Sequence, residues 1–406
     1  MRVGALSAAL VLACALGACT ASTGGSSGGT PTSTPSASTA SPTGGPSTPE
    51  PSPSGTPTPS SPPADSMAGW TLEQEVGQLF MVGVDVAKQQ DASWAAVRED
   101  HVGNIFIAGR SHATPASVLA LVRSLTGLVS ADTTHSTRML VATDQEGGNV
   151  QVLQGPGFAR MPSGLDQGRM AESDLRGRAT TWGAQLASAG VNLNLAPVMD
   201  LVDGDAATNA PIGHWDRQYG ADADTVVSHA NAFSAGMRAS GVAVAIKHFP
   251  GLGRVTGNTD ITAGVRDSVT TRDDASVKVF QRGIADGAEV VMMSTAIYDR
   301  IDASLPAAFS PVVVDQVLRG DLGFSGVVIT DDVSAAAQVA AWTPAQRAVA
   351  AIEAGCDIVL VSASPELAPQ MVDAVVSRAT ADPAFARKVH DAAARVVALK
   401  AHLPGA

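Results

Sequence analysis

Cysteine is scarce in this chain of 406 residues: there are three, and one of them, Cys14, falls inside an apolar leader. The remaining pair, Cys19 and Cys356, argues against an intramolecular disulfide. Cys356 lies in the apolar run CDIVLVS and reads as a small buried hydrophobe. Basic charge is also short. Lys and Arg number 26 against 38 Asp and Glu, giving a net charge of −12, which argues against a nucleic-acid-binding surface. Past the leader no apolar run is long enough to span a membrane. No G-x-G-x-x-G opens a helix after the first apolar strand, so a doubly wound dinucleotide-binding sheet lacks its usual signature. No His and carboxylate set stands at metal-ligand spacing, and no cofactor is implied.

What is present begins with MRVGALSAALVLACALGAC: Arg2, a short apolar stretch, then Leu16-Gly17-Ala18-Cys19. Residues 1–18 read as a secretory signal. Leu-Gly-Ala-Cys resembles a bacterial lipobox, which implies cleavage before Cys19 and lipidation of its thiol. The expected location is then the extracytoplasmic face of the cell membrane. Residues 19–66 are almost entirely Ser, Thr, Pro and Gly, with Glu50 and Asp65 the only charges. Such a stretch buries too little apolar area to offset its ordering entropy. It reads as a disordered tether, reaching roughly 35–40 Å by flexible-chain scaling.

Residues 67–406 carry a repeating pattern. Short apolar runs stand at 78–85, 103–109, 139–144, 192–200, 242–248, 288–294, 326–332 and 356–362. Amphipathic runs lie between them, such as DLRGRATTWGAQLASAG and TVVSHANAFSAGMRASG, each closed by a glycine suited to a helix C-terminus. Eight strands alternating with helices predict an α/β fold, a single TIM (β/α)8 barrel. Asp144, Asp200, Lys247, His248, Asp331 and Asp332 all fall at or just past the carboxyl end of a predicted strand. In barrels that rim carries the chemistry.

Each motif has a plain alternative. Asp144 opens DQEGG and suits vicinal sugar hydroxyls or a metal; it equally suits a helix N-terminus. Asp331 and Asp332 are adjacent, and neighbouring strand residues face opposite ways. One is therefore expected in the pocket, the other as an orienting or capping group. Lys247 cannot be buried cheaply without a counter-charge, so a carboxylate or polar ligand is expected beside it. His248 is a polar donor or a satisfied core histidine. Arg217 offers a planar fork for a substrate oxygen or a carboxylate, or is a surface arginine.

Taken together, DQEGG.VQ, NLNLAPVMD, IG...R.YG, AIKHFPGLG, GF.GVVITDD and AGCDIVLV resemble the glycoside hydrolase family 3 β-N-acetylglucosaminidases. The likeness spans about residues 70–400, and the end at Ala406 fits the single-barrel form. The resemblance implies a retaining reaction on an N-acetylglucosamine-containing glycan or muropeptide from the cell wall. Asp331 would be the nucleophile. Asp144, Arg217, Lys247 and His248 would hold the non-reducing sugar, with Lys247 and Arg217 keeping the nucleophile ionised. A retaining site also needs a protonated group about 5–5.5 Å from the nucleophile. The family loop after KHFPG typically ends Asp-Ser-His, with the His as acid/base. Here that loop ends Asn258-Thr259-Asp260, so Asp260 takes the position, and it needs a raised pKa to serve. Two further departures are Asn149 where Arg is usual, and a longer stretch between Gly213 and Arg217. Transfer of the sugar to phosphate, β-glucosidase action, and sugar binding without turnover are the alternatives. A monomer is the default expectation.

Overall fold

All eight apolar runs form strands, and both faces of each are buried, which is why they read as nearly continuous hydrophobic runs. The computed structural model describes residues 67–403. The leader, Cys19 and the proposed tether lie outside the described residues. The strands are β1 (Phe80–Asp85), β2 (Asn104–Ala108), β3 (Leu140–Thr143), β4 (Leu193–Asn194), β5 (Ala243–Phe249), β6 (Val290–Met293), β7 (Val327–Thr330) and β8 (Val359–Val361). They pair in parallel in chain order, from β1 through β7, with β8 on the other side of β1. A bridge between Ile329 and Ile358 closes the ring.

Strand alternation sorts the side chains into two cores. Met81, Phe106, Leu140, Leu193, Ala245, Met292, Ile329 and Leu360 pack together inside the barrel. Their neighbours, such as Val82, Ile105, Val141, Val244, Val291 and Val328, face outward into the layer beneath the helices. The two helices read from sequence appear as Glu172–Ser188 and Ala223–Ala239. Gly190 and Gly241 follow them at φ +81° and +76°, the left-handed conformation that ends a helix and that glycine adopts freely. The last helix, Pro383–His402, sets Val396 and Leu399 against the interior core. Its Lys400 Nζ donates to the Gly103 carbonyl just before β2 (2.9 Å). The amino-terminal end of the barrel is thereby stoppered, and the carboxyl end stays open.

One expected strand is shorter than predicted. The run 192–200 pairs regularly only at Leu193 and Asn194, because Pro197 brings no N–H to the ladder. Pairing resumes as a single bridge between Val198 and Lys247. Cys356 is buried as expected, donates its Sγ to Ala308 O (3.4 Å), and burial pushes its thiol up. Among the described residues no helix is long and apolar enough to cross a membrane.

Ring closure rests on Asp357, which is fully buried just before β8. Its carboxylate accepts from Val328 N (2.7 Å), Arg319 Nη2 (2.7 Å) and Arg395 Nε (2.8 Å). Asp357→Ala leaves two arginines without their counter-charge at the seam. The expected loss is about 3 kcal/mol, the low end for breaking a buried pair, read as a lower denaturant midpoint in equilibrium unfolding.

Candidate active site

The carboxyl ends of the strands surround a cavity of about 490 Å³. The six barrel residues expected to hold the sugar or carry the chemistry line it: Asp144, Arg217, Lys247, His248, Asp260 and Asp331. Cys19 lies outside the described residues.

The floor is built on buried charge. Lys247 is 2% exposed at the end of β5. Its ammonium meets Asp144 at 2.6 Å and Glu146 at 2.7 Å, so the expected counter-charge is present twice. Glu146 is itself buried and takes a two-point contact from Arg217, 2.9 Å from Nε and 2.8 Å from Nη2. Burial alone would raise the Glu146 carboxyl, but Arg217 and Lys247 hold it down to about 2. The same carboxylates raise Lys247 against the effect of its burial. Glu146 is a residue that the motif reading passed over. The signal was available: in a short strand, Asp144 and Glu146 stand two apart and share a face. The Gln145 side chain between them turns away to the Leu153 backbone.

His248 is tied from behind. Its Nδ1 lies 2.7 Å from Asp200 Oδ2, and Asp200 Oδ1 accepts from Leu252 N (2.6 Å). Asp200 was read as a rim carboxylate; it is fully buried and acts as the anchor of His248 and of the turn that follows. With Nδ1 engaged, Nε2 is the nitrogen left toward the cavity, 3.4 Å from Arg217 Nη2.

Asp331 and Asp332 both line the cavity, where only one was expected, but they differ in how they are held. Asp332 is the anchor: its oxygens accept from Ser334 Oγ, Ser362 N, Ser362 Oγ and Ala335 N at 2.7–3.0 Å. Among the described residues Asp331 accepts only the Asp332 N–H (2.9 Å). Burial raises its carboxyl to about 6, against the pull of His248 and with a push from Asp260. Lys247 pulls Asp331 toward ionisation as expected, but burial outweighs that pull, and the expected help from Arg217 needs correction, since its fork is closed on Glu146.

Asp260 reaches the same cavity from the loop after β5. Solvent still touches it, yet the surrounding walls raise its carboxyl; Arg217 and His248 oppose this, and Asp332 and Asp144 reinforce it. The loop is docked on the segment after Asp331: Ala337 N donates to Asp260 O (3.0 Å) and Gln338 N to Thr259 O (3.1 Å). Asn258 occupies the position expected to orient the acid/base side chain. Instead its Oδ1 accepts the Asp260 N–H (2.9 Å) and shapes the turn. Among the described residues no cluster of three His, Cys, Asp or Glu could hold a metal ion.

Residues 71–399 match the model of the glycosyl hydrolase family 3 N-terminal domain. A beta-hexosaminidase of Methylococcus capsulatus is 34% identical over 295 residues, 71% of this chain and 83% of the relative. The crystal structure of a beta-N-acetylhexosaminidase from Beutenbergia cavernae superposes with a TM-score of 0.81 at 61% identity, over 82% of this chain and 99% of that one. A family 3 beta-N-acetylglucosaminidase from Paenibacillus sp. FPU-7 gives 0.73 at 30% identity, over 82% and 62%.

Glu146 also makes a stability prediction. Its folded pKa of about 2 lies below the ordinary 4.5. The contribution is therefore full above pH 4.5 and lost as pH falls toward 2. Glu146→Gln is expected to cost about 3 kcal/mol at neutral pH, because Arg217 loses its only carboxylate partner in the floor. The gap between variant and parent, measured by denaturant unfolding, should narrow between pH 4.5 and 2.

Proposed function

The chain belongs to glycoside hydrolase family 3, and from that premise we propose that it is a retaining exo-β-N-acetylglucosaminidase acting on peptidoglycan fragments. One observation carries the mechanism. Asp331 and Asp260 line one cavity, both carboxyls are raised, and neither is neutralised by an ion pair among the described residues. Two such groups repel when both are ionised, so each favours a proton on the other. The chemistry we propose uses the form with Asp331 ionised and Asp260 protonated.

In the first step the Asp331 carboxylate attacks the anomeric carbon as the bond to the leaving oxygen breaks, and Asp260 gives that oxygen its proton. A glycosyl ester on Asp331 results. In the second step Asp260 takes a proton from water, and the water oxygen displaces Asp331. Asp144, Lys247 and the Nε2 of His248 are suited to the hydroxyls of the non-reducing sugar. Arg217 is suited to a supporting role, since its fork is already closed on Glu146.

N-acetylglucosamine as the sugar is favoured by the hexosaminidase relatives. An acidic, muramyl-type aglycone is favoured by Arg110. It is exposed, lines the cavity, and has no ion pair among the described residues. We place the enzyme at the extracytoplasmic membrane face through a lipid on Cys19, on the strength of the Leu-Gly-Ala-Cys leader and the charge-poor stretch behind it.

The test is cleavage of 4-nitrophenyl N-acetylglucosaminide with release of free sugar. Asp331→Ala should lower kcat by at least about a thousandfold. No cleavage by the parent sinks the enzyme reading, equal activity on the glucoside sinks the sugar assignment, and sugar 1-phosphate in phosphate buffer sinks hydrolysis. Asp260→Asn should slow a disaccharide about a hundredfold more than an activated aryl glycoside, because only the former needs the proton. Equal loss on both substrates would remove Asp260 from the role. Arg110→Ala should reduce kcat/KM roughly tenfold for a disaccharide ending in muramic acid, and leave chitobiose little changed.

A further inference from the structure

Three large apolar side chains stand exposed among the described residues: Trp215, Ile261 and Val269, at 44%, 80% and 49%. Of these only Trp215 lines the cavity. It sits in the stretch between Gly213 and Arg217 that is longer than the family pattern. That extra length folds as one tight turn, Gly213–Trp215, closed by Asp216 at φ +55°.

The turn is held rigidly. Asn209 Oδ1 accepts from Ile212 N (3.2 Å) and Gly213 N (2.7 Å). The Asn209 amide donates to Leu252 O (2.7 Å) and Val255 O (2.8 Å), in the loop that continues to Asp260. His214 sets its ring edge-on to the indole, centroids 5.0 Å apart. Gly213 has no room for a side chain; a Cβ there would meet Ala206 O at 2.5 Å. Exposure of Trp215 is therefore not slack in a loose loop. An apolar ring has been fixed in contact with water beside a binding cavity.

Depth decides what the ring meets. Lys247 and His248 are 2% and 3% exposed and form the closed end. The side chain of Arg217, two residues after Trp215, is 16% exposed and reaches down to Glu146. Trp215 stands at the mouth. An exo-acting site takes the non-reducing sugar at its closed end, so everything beyond the scissile bond projects toward the mouth. We infer that Trp215 is the platform for the first sugar of the leaving group, its π face against the C–H face of that pyranose. Pinning the ring in advance lowers the ordering cost of binding there. This inference rests on the exo-N-acetylglucosaminidase reading and adds to it the residue that selects a sugar aglycone.

The experiment compares kcat/KM for chitobiose with that for N-acetylglucosaminyl fluoride, whose leaving group is too small to reach the indole. In Trp215→Ala the chitobiose value should fall roughly tenfold, mainly through KM, and Trp215→Phe should recover most of it. The fluoride value and inhibition by free N-acetylglucosamine should change less than about twofold. Equal loss on both substrates, or no loss on chitobiose, overturns the platform. Equal loss in the phenylalanine variant does so as well. A parent enzyme that leaves chitobiose and the fluoride uncut overturns the N-acetylglucosaminidase reading and this one with it. A parent that cuts both while Trp215→Ala cuts them equally well overturns this one alone.

Discussion

The site depends on one buried carboxylate. Glu146 lies between Arg217 and Lys247 in a floor that excludes water. Neither cation could be desolvated there alone, since an unpaired buried charge costs several kcal/mol. By satisfying both, Glu146 joins three parts of the rim: its own segment after β3, the long excursion after β4 that brings Arg217, and the end of β5 that brings Lys247. Asp144 then completes the Lys247 contact while remaining partly open to solvent. The result is a dense, fixed set of donors and acceptors at the closed end of the cavity.

The two carboxyls assigned to the chemistry stand apart from this network. Asp332 takes the work of holding the loops after β7 and β8 together, which leaves Asp331 with a single backbone donor. Asp331 is raised chiefly because it is buried, and Asp260 because the cavity walls surround it. The loop that carries Asp260 docks its backbone on Ala337 and Gln338, directly after the Asp331 turn. The two carboxyls proposed for the chemistry are thus referenced to the same short segment. Trp215 is referenced to the same loop through Asn209, so mouth and floor share one frame.

Much of this was legible in the residues. Eight apolar runs of strand length separated by helical patterns specify a parallel barrel, because both faces of every strand must be buried. The polar residues that end those runs had to gather at one rim, because parallel strands all point the same way. That is why Asp144, Lys247, His248 and Asp331 are legible as rim residues in the sequence, while the choice of Asp331 over Asp332 was implied only by the family resemblance. The shortened β4 shows where local reading stops: an apolar run tells of burial, while ladder pairing depends on N–H groups that Pro197 lacks.

What only the folded chain decided is pairing across long sequence separations. Glu146 meets Arg217 across 71 residues, and Asp200 meets His248 across 48. No spacing rule announces either contact, because strands brought together by barrel closure are far apart in the chain. The same holds for ionisation. Composition tells that Asp331 and Asp260 are carboxylates; only the burial of Asp331 and the cavity walls around Asp260 tell that they keep a proton to higher pH than ordinary ones. The sequence determined the barrel, its rim and the identity of the groups on it. Tertiary structure decided which of those groups are neutralised in pairs and which are left free to react, since that depends on distance and on access to water.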